Sequence, residues 1–113
     1  MSDIKPRITA LGSHVPATCV TNDELAAKID TNDEWIFSHT GIKSRHIADD
    51  ETATSDLAIA ALRKLSKEHN VELDTIDALI VATATQDYLG FPSTACVIQA
   101  KLGLPPIAAF DIS

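Results

Sequence analysis

Aromatic side chains are scarce: Phe, Trp and Tyr supply 4% of 113 residues, with a single Trp and a single Tyr. Basic side chains are few as well, 9 Lys and Arg against 16 Asp and Glu, which leaves a net charge of −7. A nucleic-acid-binding face needs clustered Lys and Arg, so no nucleic-acid partner is expected. Long apolar runs are missing. None approaches the ~18 residues of a membrane span, and the opening residues lack signal-peptide character, so no membrane partner is expected either. Cysteine is limited to Cys19 and Cys96, far apart and without a CxxC. That excludes a disulfide scaffold and a zinc ribbon, and it suits a reducing, cytoplasmic compartment. His14, His39, His46 and His69 show no ligand spacing to one another or to either Cys, so no metal site is expected.

What remains is a globular composition, 45% hydrophobic and 22% charged. The length is one domain's worth at most. Alanine is abundant, and small residues suit helices pressed closely onto a sheet.

Arg7-Ile8-Thr9-Ala10-Leu11-Gly12 reads as a first strand, ended by Gly12 and Pro16. Thr21-Asn22-Asp23-Glu24 is a capping box that opens a short helix through Leu25, Ala26 and Ile29. Thr31-Asn32-Asp33-Glu34 repeats that pattern and opens a second short helix carrying Trp35, Ile36 and Phe37, with Gly41 as its stop. Residues 42–48 suit a short extended piece, and Asp49-Asp50-Glu51 a solvated acidic turn. The spacing of Leu57, Ala58, Ala61, Leu62 and Leu65 predicts a helix over about 54–68, its apolar first half buried between layers.

Residues 76–85, IDALIVATAT, are apolar without alternation, as in a strand covered on both faces. A loop through Tyr88, Phe91 and Pro92 follows, then a helix opened by Ser93 or Thr94 and stopped by Gly103. Residues 107–112 read as a second buried strand. Strand, helix, strand at these lengths is a βαβ unit, so the strands should be parallel with a right-handed crossover. In open α/β sheets, sites lie at the carboxyl ends of strands. This chain stops at such an end, Ser113, so residues 1–113 are expected to be a fragment of a larger α/β domain.

Several segments, in order and spacing, resemble the β-ketoacyl-acyl carrier protein synthase III family. They are Leu11-Gly12-Ser13 with Pro16, Thr21-Asn22-Asp23-Glu24-Leu25, Asp30-Thr31-Asn32-Asp33-Glu34-Trp35-Ile36, Thr40-Gly41-Ile42 with Arg45-His46-Ile47-Ala48, Phe91-Pro92-Ser93-Thr94-Ala95-Cys96 and Ala109-Phe110-Asp111. The resemblance implies an α/β, thiolase-like fold, of which this chain is the N-terminal part of the first half of the layered αβαβα architecture. It implies an acyltransferase that condenses acetyl-CoA with malonyl-acyl carrier protein to initiate fatty acid synthesis, as a cytoplasmic homodimer. Acetyl-CoA is then a substrate, and no cofactor is implied. The catalytic Cys, His and Asn of the family fall after Ser113, so none lies in this chain, and the chain alone is expected to be inactive and not a stable monomer.

The family match also assigns roles. Trp35 would stack on the adenine of CoA, with Thr31 and Thr40 nearby. The family usually carries Arg at the position of His39, which helps hold CoA. His39 lacks the guanidinium's planar fork for phosphate. Phe91 matches an aromatic at the dimer interface that reaches the partner's acyl pocket. Cys96 and Cys19 read as structural, small apolar residues. The alternatives are a non-catalytic CoA-binding or dimer-forming remnant, or another thiolase-fold condensing enzyme with a different acyl donor.

Overall fold

The computed structural model describes residues 3–113. The chain forms two compact units. Val15–Thr52 make one, and residues 3–14 together with Ala53–Ser113 make the other.

In the smaller unit, β1 (Thr18–Thr21) pairs antiparallel with β2 (Ser44–Ile47), and α1 (Asn22–Ala26) and α2 (Asp33–Thr40) lie between them in sequence. The Thr21 capping box forms as expected: Glu24 N donates to Thr21 Oγ1 at 3.2 Å, and Thr21 N donates to Glu24 Oε2 at 2.7 Å. The helix it opens is shorter than expected, ending before Ile29, which is exposed. The second helix begins one residue later than expected. Asn32, not Thr31, is its cap, and its side chain accepts from Trp35 N at 2.8 Å. Gly41, at φ 70°, stops α2 in the left-handed region that a Cβ disfavours. The extended piece at 42–48 is β2, and its partner β1 was not foreseen.

In the larger unit, α3 (Thr54–His69), β3 (Ala78–Ala82), α4 (Thr94–Leu102) and β4 (Ala108–Ile112) follow one another, with a short 3-10 turn at Leu73–Thr75 before β3. β3 and β4 pair in parallel, Ala78 opposite Ala108 through Ala82 opposite Ile112, as the βαβ reading required. Ser93 caps α4 by accepting from Cys96 N at 3.2 Å, and Gly103 stops it at φ 64°. The core is Ile59, Leu79, Ala95 and Ile98, with Val81, Leu102, Ile107 and Ala109 packed around it.

Three expectations for this unit are corrected. Arg7 to Gly12 form no strand. A strand needs a ladder partner, and among the described residues none pairs with this segment. It runs instead past α3, so closely that a Cβ on Gly12 would sit 2.5 Å from Leu65 Cβ. The strands are not covered on both faces either. Leu79 and Val81 turn into the core, while Ile80 is 55% exposed and Phe110 46% exposed on the other face. Alternation of burial thus appears where the sequence has none, because the helices of this chain pack on one face only. In α3, full burial is confined to Ser55 and Ile59, and the surrounding apolar residues are half-buried.

Among the described residues, no helix is long and apolar enough to cross a membrane. The two cysteines, expected as buried packing residues, are both exposed. Cys96 stands one residue beyond buried Ala95, off the face of α4 that meets the core, and its Sγ donates to Ala109 O at 3.6 Å. Cys19 lies opposite His46 in the β1–β2 ladder.

A polar node fixes the end of the parallel pair. Asp111, near the carboxyl end of β4, accepts from Thr94 N at 2.7 Å and Ala95 N at 2.8 Å. The carboxylate therefore takes two of the amides that an α-helix leaves without partners at its start. On the neighbouring loop Asp87 accepts from Ser55 N at 2.9 Å, and Lys101 reaches both Ser55 Oγ and Asp56 Oδ1.

Candidate functional site

The start of α2 carries the candidate site. Asn32 takes the capping role, and the Thr31 hydroxyl is therefore not spent on the helix. Thr31 Oγ1 is buried and, among the described residues, has no hydrogen-bond partner. It lies beside a cavity of about 210 Å3 lined by Asp30, Thr31, Asn32 and Trp35. Trp35 is 56% exposed. A large apolar ring beside an unused hydroxyl is a surface suited to a flat ligand with a polar edge.

His39 sits one helical turn after Trp35, where i and i+4 side chains meet. Its ring stacks on the indole, with centroids 4.3 Å apart and planes 22° from parallel. His39 Nδ1 lies 2.7 Å from Trp35 O and 3.1 Å from Ser38 Oγ. A carbonyl oxygen only accepts, so Nδ1 carries the hydrogen. Thr40 is placed differently. Its hydroxyl donates to Ile36 O at 2.6 Å and accepts from Ile42 N at 3.1 Å, closing the far end of α2. The structure thus brings Thr31 and Trp35 to one cavity and His39 onto Trp35, and it employs Thr40 in ending the helix.

The residue that holds this arrangement was not foreseen. Asn22 is 1% exposed. Its Nδ2 donates to Asp33 Oδ1 at 2.7 Å and to Ile42 O at 2.7 Å, and Arg45 Nη2 donates to its Oδ1. Asn22 N also donates to Lys43 O at 3.1 Å. Following a Thr cap, Asn22 reads in the sequence as an exposed first-turn residue, and nothing local signals its burial. Asp33 is gripped from a second side by Lys43 Nζ at 2.8 Å, and Lys43 lies 4.1 Å from the Phe37 ring centroid. The Lys43 hydrogen bond, then that of Asn22, holds the Asp33 carboxyl below its usual range. Phe91, in the larger unit, is 94% exposed in the loop before α4, beside fully exposed Leu89. No group of three or more His, Cys, Asp or Glu suited to a metal ion occurs among the described residues.

The fold is that of thiolase-like condensing enzymes. β-Ketoacyl-[acyl carrier protein] synthase III of Thermus thermophilus superposes with a TM-score of 0.82 at 47% identity, over 93% of this chain and 32% of that one. The priming β-ketosynthase of the R1128 polyketide pathway gives 0.81 at 32% identity, over 92% of this chain and 31% of that one. The sequence is similar to curated proteins named β-ketoacyl-[acyl-carrier-protein] synthase III. The Xanthomonas oryzae pv. oryzae protein of that name is 47% identical over 110 residues, 97% of this chain and 34% of its own length. No family model matches the chain. The chain spans about a third of the length of the curated relatives it matches.

Proposed function

We propose that residues 1–113 are an N-terminal portion of a thiolase-like condensing-enzyme domain, and that they supply part of the mouth through which a β-ketoacyl-acyl carrier protein synthase III takes acetyl-CoA. The whole enzyme condenses acetyl-CoA with malonyl-acyl carrier protein, the first condensation of fatty acid synthesis, in the cytoplasm and as a homodimer. The observation that carries this reading is the exposed Trp35 indole beside the unpartnered Thr31 hydroxyl. Adenine is a flat aromatic ring with a hydrogen-bonding edge, and these are its two complements. His39 stands where the family usually carries an Arg that helps hold CoA, and Thr40 matches a Thr near the CoA mouth. Exposed Phe91 and Leu89 supply the apolar surface that a partner subunit would cover.

The chemistry asks little more of these residues than binding. In ping-pong acyl transfer, the acyl group passes to a nucleophile as a thioester, and a second thioester then loses carbon dioxide to give the attacking carbanion. The role of Trp35 is to hold the CoA end far from the reacting carbonyl, so its contribution is the same in ground and transition states.

Calorimetric titration of acetyl-CoA into a complete condensing enzyme carrying this segment, and into its Trp35→Ala variant, tests this. Base–aromatic stacking contributes roughly 1–3 kcal/mol, so the substitution should weaken binding about 5- to 150-fold. In a complete condensing enzyme carrying this segment it should raise KM for acetyl-CoA and leave kcat nearly unchanged. Equal affinity of wild type and Trp35→Ala would refute the assignment.

A further inference from the structure

Where an arginine would reach for phosphate, this chain places a ring against a ring. His39 lies 4.3 Å from the indole centroid and nearly parallel to it, with its Nδ1–H on Trp35 O. The cavity that Trp35 shares with Asp30, Thr31 and Asn32 is lined without His39. We propose that His39 is a positioning residue for the Trp35 platform: it backs one face of the indole, fixes the ring, and so presents the opposite face to a planar base in the cavity beside Thr31. This rests on the CoA reading above, and it assigns His39 a part that no phosphate contact is needed to explain.

Two restraints act on the imidazole at once, the stack and the hydrogen bond to the carbonyl one turn earlier. Together they allow one ring orientation. An indole backed in this way has fewer rotamers to lose when a ligand arrives, which is how preorganisation raises affinity. The charged groups around the imidazole are largely committed elsewhere. On α2, Asp33 is held by Asn22 and Lys43. Glu34 lies in the first turn of α2. On α1, packed against α2, Glu24 is held by Thr21, and Asp23 lies in that helix's first turn. Among the described residues, no charged side chain pairs with His39.

Trp35 is the only Trp of the chain, so emission excited at the red edge, where Tyr88 does not absorb, reports this ring alone. The experiment compares acrylamide quenching of ligand-free Trp35 emission in wild type, His39→Ala and His39→Phe, and then titrates each with acetyl-CoA by calorimetry. His39→Ala should leave the indole more open to quencher than in wild type, and His39→Phe, which can still stack, should restore most of the protection. His39→Ala should bind acetyl-CoA about two- to tenfold more weakly, and His39→Phe should restore most of that loss. Quenching equal in wild type and His39→Ala would overturn the proposal, as would His39→Ala binding as tightly as wild type. If His39→Ala is quenched more than wild type and no form binds acetyl-CoA, the CoA reading falls while the backing of Trp35 by His39 stands.

Discussion

The amide of Asn22 donates to the carboxylate of Asp33 at 2.7 Å, joining the first residue of α1 to the first residue of α2, eleven positions apart. That bond, with those to Ile42 O and from Arg45, ties both helix starts and β2 to one side chain. The start of α2 is also where Trp35 stands, so the candidate site depends on a residue that does not touch it.

Asn22→Ala should therefore destabilise the chain by about 1–3 kcal/mol or more, the cost of leaving buried polar groups without partners. Urea unfolding followed by Trp35 emission measures it. Asn22→Asp should be worse than a surface Asn→Asp change, because it sets a second carboxylate against Asp33. A midpoint unmoved in either variant would contradict the role given to this side chain.

The pH profile of stability should have a plateau with two flanks. Asp33 is lowered first by the Lys43 hydrogen bond, Asp56 by that of Lys101, and Glu24 by the Thr21 backbone. A lowered carboxyl contributes fully above its unfolded value, near ~4, and its contribution is lost as pH falls through the folded value. Lys101 is raised, chiefly by its hydrogen bond to Asp56, so its contribution is full below ~10.4 and is lost as pH rises through the folded value. Thermal unfolding should show stability falling below about pH 4. Asp33→Asn should flatten part of that acid limb, and added salt should do the same, because these pairs are exposed. An acid limb identical in wild type and Asp33→Asn would exclude this origin.

Gly12→Ala should destabilise the larger unit by about 1–3 kcal/mol through overpacking. The added Cβ would stand 2.5 Å from Leu65 Cβ and 3.0 Å from Ala61 O, and neither is the movable end of a side chain. Leu65→Ala would not repair it, since its own Cβ is the obstacle, whereas Leu65→Gly should relieve the clash at the cost of a helix-interior glycine. Equal melting temperatures for wild type and Gly12→Ala would show that the segment can move away from α3.

Much of the secondary structure was legible because its signals are local. The Thr21–Glu24 capping box, a cap of α4 at Ser93 or Thr94, and the stops at Gly41 and Gly103 each need only residues within a turn of one another. The βαβ order of β3, α4 and β4 followed from element lengths. The family resemblance, carried by collinear motifs, was legible for the same reason. It pointed to Trp35, Thr31, His39, Thr40 and Phe91 before any fold was known.

What the sequence could not determine was which contacts distant segments would make. Thr31 and Asn32 are both acceptable caps, and the start of α2 settles on Asn32, with Asp33 held by Asn22 and Lys43 from outside the helix. The apolar run at 76–85 announces a strand but not which of its faces finds a partner, and only Leu79 and Val81 do so here. Arg7 to Gly12 have strand composition, yet a strand exists only as part of a ladder. Capping is an interaction between neighbours in sequence, so the sequence by itself specifies it. Burial and pairing are settled by what the rest of the chain brings alongside, so only the tertiary structure decides them.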